Sequence, residues 1–137
     1  MTPYDDGGVE QVGVRVLLVD DEEDIRLLVR LTLQRAGLRV IEAGSGADAL
    51  AILAAEPVDV VVLDVRMPEP DGWAVLDSMR ERGTLARVGV VMMSAHADPA
   101  MGEQAMRLGC RGYVSKPFDP LELLAAVQHA ADPAVKR

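Results

Sequence analysis

The chain has 137 residues, half of them hydrophobic, with 14 Lys and Arg against 22 Asp and Glu for a formal charge of −8. A chain of this length folds as one domain that buries roughly two thirds of its unfolded surface. The acidity argues against binding to nucleic acid or anionic membrane, and the single Cys110 excludes an internal disulfide or a cysteine metal cluster. No apolar run reaches the ~18 residues of a membrane span, and residues 1–13 have no apolar core of a signal peptide, so a cytoplasmic protein is expected.

Residues 1–13 hold Pro3, Gly7, Gly8 and Gly13 among acids and read as a disordered lead-in. Val14 to Val19 is a buried-strand pattern ended by Asp20-Asp21. A helix follows, with Asp21 as its cap and Glu22, Glu23 and Asp24 at its positive end. Ile25, Leu28, Val29, Thr32, Leu33 and Ala36 fall at helical spacing before Gly37. Leu38 to Ala43 is a second strand. After Gly44-Ser45-Gly46 comes an Ala-rich helix whose inner stripe is Ala47, Leu50, Ala51 and Ala54, closed before Pro57.

Val58 to Leu63 is an apolar run too short for an ordinary helix, and it ends in Asp64. The loop Met67 to Gly72 leads to a third helix over Trp73 to Arg82, with Val75, Leu76 and Met79 inward. Val88 to Met93 is a fourth strand, ending at Ser94. A weaker helical pattern, Ala97, Met101, Ala105 and Leu108, is interrupted by Pro99 and Gly102. Arg111 to Val114 is a fifth strand. The last helix spans Pro120 to Ala131, with Leu121, Leu124, Ala125 and Gln128 on one face, and residues 132–137 form a short tail. The expected domain is therefore residues 14–131.

Five strands alternate strictly with five helices. That order implies right-handed crossovers and a parallel sheet covered on both faces. It fits a flavodoxin-like doubly wound α/β fold with strand order 2-1-3-4-5. Every strand then ends on the same edge. Asp20-Asp21, Asp64, Ser94 and Lys116 meet there, with strands one and three flanking the point where strand order reverses. Three carboxylates this close repel unless a cation joins them. A hard divalent cation such as Mg²⁺ suits carboxylates, waters and phosphate oxygens. Lys116 adds a positive charge and Ser94 a hydroxyl. A carboxylate held in line could attack phosphorus and form an acyl phosphate, and Asp64 is the candidate nucleophile.

From about Arg15 to Ala131 the chain resembles the receiver domain of two-component response regulators, single-domain and chemotaxis-regulator-like. The matching residues are Asp20-Asp21, Asp64 in Leu63-Asp64-Val65-Arg66-Met67-Pro68, Asp71-Gly72, Ser94-Ala95 and Lys116-Pro117. The resemblance implies a phosphorelay switch in which Asp64 accepts a phosphoryl group from a histidine kinase or phosphotransfer protein. It implies Mg²⁺, for which Mn²⁺ can substitute, held by Asp21, Asp64 and the backbone carbonyl of Arg66, with Asp20 acting mainly through water. Lys116 would pair with the phosphoryl group, across a cis Lys116–Pro117 bond. Ser94 would move toward the phosphate and Tyr113 swing inward behind it, reshaping the face of helix four, strand five and helix five toward an unknown downstream protein. The state implied is a monomer or a phosphorylation-dependent dimer that catalyses only its own phosphorylation and dephosphorylation.

Two departures stand out. Glu69 and Pro70 stiffen the loop after the acceptor strand, and Arg66 and His96 stand where family members tune phosphate lifetime. Bulky side chains there, able to carry positive charge, would restrict hydrolytic water or contact the phosphoryl group. Taken singly, each site residue has a plain structural reading: Asp64 a turn cap, Asp20-Asp21 a helix cap, Ser94 a cap, Lys116 a solvated lysine. Their arrival on one sheet edge is what favours chemistry. Three rivals remain: a haloacid dehalogenase-type phosphohydrolase, which needs a second acid where Arg66 stands; a nucleotide-binding Rossmann domain, which needs a glycine-rich turn where Asp20-Asp21 stands; and an unphosphorylated pseudo-receiver used for interaction alone.

Overall fold

In β3 (Val60–Asp64) every residue is buried, and Val60 to Leu63 have no exposure at all. Alternate side chains point to opposite faces of a strand, so a four-residue aliphatic run must be covered on both sides. The computed structural model, which describes residues 13–95 and 98–134, does this with helices on each face. The expected lead-in lies outside the described residues except for Gly13, as do His96, Ala97 and residues 135–137 of the tail.

The elements are β1 (Arg15–Val19), α1 (Glu23–Arg35), β2 (Arg39–Ala43), α2 (Gly46–Ala55), β3, α3 (Gly72–Glu81), a 3₁₀ turn (Thr84–Ala86), β4 (Gly89–Ser94), α4 (Pro99–Arg107), β5 (Gly112–Ser115) and α5 (Pro120–Ala131). All strand pairs are parallel, in the order β2-β1-β3-β4-β5. This is the doubly wound fold that the alternation implied. One face packs Leu17, Val19, Val61, Leu63, Val90 and Met92 under α2, α3 and α4. The other packs Val16, Leu18, Val60, Val62, Val91 and Met93 under α1 and α5. Each such side chain contributes about 1.5–3 kcal/mol by leaving water.

Helix faces do not follow spacing alone. In α3, Val75, Leu76 and Met79 are buried as expected. In α5 the expected stripe is wrong: Leu123, Val127 and Ala130 are buried, while Leu121 is 76% exposed and Ala125 and Gln128 are also exposed. The helix is apolar nearly all round, and the observed face spares Gln128 the cost of burying an unpaired amide. In α2, Gly46 and Ala49 are buried with Leu50, Ile52 and Leu53 half-buried, and Ala47, Ala51 and Ala54 face solvent. Larger aliphatic groups gain more from burial than alanines do. In α1, Val29 and Leu33 point inward, but Leu28 is 51% exposed and Ala36 is exposed.

Two expected terminators play other parts. Pro99 does not interrupt α4 but begins it, with the Asp98 carboxylate accepting from Ala100 N at 2.9 Å. Asp21 is not the cap of α1. Glu22 takes that position, and its N–H donates to Asp20 Oδ1 at 2.9 Å. The Asp20 carboxylate bends the chain into the helix and leaves the Asp21 side chain exposed.

Candidate functional site

β1 and β3 are neighbours, so Asp20 and Asp64 leave the sheet side by side. Asp20 has no exposed surface and Asp64 only 4%. One carboxylate oxygen from each of Asp20, Asp21 and Asp64 lies within 4.8 Å of the others. Lys116 follows β5 and reaches across the edge. Its Nζ lies 3.0 Å from Asp20 Oδ2, 3.4 Å from Asp64 Oδ1 and 3.6 Å from Glu22 Oε1. Glu22, expected only as an acid at the start of α1, enters because the turn set by Asp20 carries it over the site.

The electrostatics are lopsided. Burial and the Asp20 charge push the Asp64 carboxyl up to about 6, against the lowering effects of Lys116 and of the Arg66 N–H, which donates to Asp64 Oδ1 at 3.3 Å. Burial alone would pull the Lys116 ammonium down, yet its bond to Asp20 and the charges of Asp20 and Asp64 carry it above its ordinary value. One lysine thus faces more negative charge than it can balance. A spacing of three carboxylates that one oxygen-coordinating cation can bridge fits that excess.

Backbone packing holds the acids in place. Gly72 opens α3 against the end of β3, donating its N–H to Val65 O at 3.0 Å, and a Cβ there would overlap the Asp64 carbonyl. The preceding Asp71 caps α3 by accepting from Ala74 N at 2.9 Å. The intervening loop carries Arg66, exposed, and Glu69 and Pro70. The Pro70 carbonyl sits where a Cβ of Gly46 would be. The Glu69–Pro70 and Lys116–Pro117 peptides are both cis. Beside the acids opens a cleft of about 500 Å³ whose wall includes Asp21, Arg66, Trp73 and Met101.

Ser94 ends β4, fully buried, with its carbonyl accepting from Lys116 N at 2.7 Å. Its hydroxyl faces Met101 Sδ of α4 at 4.0 Å. Tyr113 lies half-buried on β5, its ring against Gly102 of α4, where a Cβ would stand 3.3 Å from the ring. Ser94 and Tyr113 therefore both abut α4. The thiol of Cys110 is buried at the foot of β5, and burial pushes it up to about 12.

Known proteins match this arrangement. The family model of the response regulator receiver domain matches residues 16–128. The chain is 37% identical over 116 residues to the transcriptional regulatory protein GltR of Pseudomonas aeruginosa, covering 85% of this chain and 48% of that protein. It is 40% identical over 116 residues to the regulatory protein AtoC of Escherichia coli, covering 85% of this chain and 25% of that one. The chain thus spans half the length of these relatives or less. Among solved structures, chemotaxis protein CheY4 of Vibrio cholerae superposes with a TM-score of 0.80 at 32% identity, covering 87% of this chain and 99% of that one.

Proposed function

The chain belongs to the response regulator receiver domain family, a phosphorylation-activated signalling switch, and we propose that Asp64 is its phosphoryl acceptor. A phosphohistidine of a histidine kinase or phosphotransfer protein would be the donor. An Asp64 carboxylate oxygen attacks phosphorus, the N–P bond breaks, and its electron pair returns to the imidazole. The observation that carries this reading is the meeting of Asp20, Asp21, Asp64 and Lys116 at one sheet edge.

Asp21, Asp64 and the Arg66 carbonyl would hold Mg²⁺ (or Mn²⁺), which when bound offsets negative charge on the carboxylates and the incoming phosphoryl oxygens. Both Asp20 carboxylate oxygens already accept bonds, from Glu22 N and from Lys116 Nζ, which suits an outer role through water. Lys116 would turn from the carboxylates to a phosphoryl oxygen. Ser94 would hydrogen-bond another, and Tyr113 would follow it inward, altering the face of α4, β5 and α5 toward a downstream protein.

The phosphohydrolase reading gains nothing from the site, because exposed Arg66 stands where its general acid would be. We assign the receiver module to residues 14–131, working in the cytoplasm as a monomer or phosphorylation-dependent dimer. No described helix is long and apolar enough to cross a membrane. Treating the protein with beryllofluoride, with and without Mg²⁺, tests the reading. A Mg²⁺-dependent adduct absent from Asp64→Ala supports it. An adduct that survives Asp64→Ala, or multiple turnover of phosphate esters, overturns it.

A further inference from the structure

Asp20 is tied at every polar atom, and one of those ties comes from a side chain outside the pocket. Its N–H donates to Ala43 O at 3.2 Å, and its carboxylate oxygens accept from Glu22 N and Lys116 Nζ. Its carbonyl accepts from Arg26 Nη1 at 2.7 Å, the shortest of these bonds. That carbonyl belongs to the Asp20–Asp21 peptide. Fixing it fixes the plane of the peptide, and so the positions of the Asp21 N and Cα from which its side chain departs.

Arg26 is itself held. Its Nε donates to Glu42 Oε1 on β2 at 3.1 Å, and its side chain is 18% exposed. The other Glu42 oxygen lies 3.1 Å from Arg30 Nε. Gly44, just past β2, leaves room for the guanidinium, since a Cβ there would lie 3.3 Å from Arg26 Nη1. A planar guanidinium with several donors in fixed directions can bridge a carbonyl and a carboxylate at once, which a lysine cannot.

We infer that Arg26 is a positioning residue for the acid pair, a clamp from α1 to β2 that aims Asp21 at a divalent cation without touching it. The inference rests on the reading that Asp21 and Asp64 hold that cation. Like charges at the edge would push the Asp20–Asp21 turn outward. Arg26 opposes this from behind, where it cannot compete with the cation for carboxylate oxygens. Partners that orient metal ligands from outside the coordination shell are typically worth about 10- to 100-fold in metal affinity.

The test is Mn²⁺ and Mg²⁺ affinity by titration calorimetry, on unphosphorylated full-length protein, beside urea unfolding of each variant. Arg26→Met is expected to weaken both cations about tenfold. Arg30→Met removes a partner of the same Glu42 but has no contact with Asp20, and is expected to leave affinity within about twofold while costing similar stability. Should Arg26→Met fail to fold, Arg26→Lys decides, because an ammonium keeps the charge beside Glu42 but cannot bridge carbonyl and carboxylate at once, and should still weaken affinity at least about threefold. Unchanged affinity in the folded Arg26→Met or in Arg26→Lys, with Asp21→Asn abolishing binding, overturns the clamp and leaves the metal site standing. Equal loss in Arg26→Met and Arg30→Met overturns it too, since a general weakening of α1 would suffice. If Asp21→Asn binds as tightly as the parent protein, the metal reading itself falls and the clamp falls with it.

Discussion

Two aspartates at opposite ends of one strand segment meet opposite surroundings. Asp59, just before β3, is matched by backbone groups. Its carboxylate accepts from Arg15 N, its N–H donates to Arg15 O, and its carbonyl accepts from Gly89 N, at 2.9, 2.9 and 3.0 Å. It laces β1, β3 and β4 together where they begin. The carboxylate of Asp64, at the other end, has one longer backbone donor at 3.3 Å, two acids beside it and a lysine shared with both Asp20 and Glu22. The same side chain is structural where donors match it. It is chemically loaded where negative charge exceeds them.

The sharpest way to break this contrast is to truncate both. Asp64→Ala is expected to lose the beryllofluoride adduct completely. Asp59→Ala is expected to keep it while losing about 1–2 kcal/mol in urea unfolding, the cost of a part-buried N–H left without its acceptor. Loss of the adduct in Asp59→Ala would erase the distinction. Next in size is Lys116→Met, which leaves the acids uncompensated. We expect at least a tenfold weaker response to beryllofluoride, and about 2 kcal/mol lower stability, less than for a fully buried pair because Lys116 is partly exposed.

Asp64→Asn isolates the charge from the shape. The folded carboxyl sits at about 6, above the ordinary 3.8. Between those values the folded state holds a proton that the unfolded chain has released. Stability of the metal-free protein therefore falls as pH rises through this window, and the full cost stands above about 6. At pH 7.5 without divalent cation, Asp64→Asn should be about 1–2 kcal/mol more stable than the parent, with the gap closing toward pH 4. A parent protein more stable than Asp64→Asn at pH 7.5 would mean that Lys116 already balances the site. The smallest effect concerns Arg66. If its exposed side chain restricts hydrolytic water, Arg66→Ala should raise the dephosphorylation rate about threefold, of the order of a lost surface interaction. An unchanged rate removes Arg66 from that role.

The sheet and its loaded edge were legible because an acid at the end of an apolar strand is anomalous, and two such ends, at Asp20 and Asp64, fall on one edge with Ser94 and Lys116. The parallel sheet followed from strict alternation, while the strand order came by analogy with doubly wound folds. The buried faces of α2 and α5 were not legible, because both helices carry apolar residues nearly all round and spacing alone admits more than one stripe. Asp21 misled as a helix cap because the turn is closed by Asp20 two residues before Glu22, a local choice between adjacent identical side chains. Arg26 gave only a faint signal, one basic residue after a run of acids. Its partner Glu42 lies 16 residues away, on β2 rather than on α1, and no periodicity links them.

The central claim is that the carboxylate of Asp64 takes the phosphoryl group. The most direct measurement is to incubate the protein with acetyl phosphate and Mg²⁺, reduce the acyl phosphate with borohydride, and map the product by peptide mass spectrometry. The account predicts homoserine at position 64, dependent on Mg²⁺. Homoserine at Asp20 or Asp21, or reduction at no aspartate at all, would contradict it.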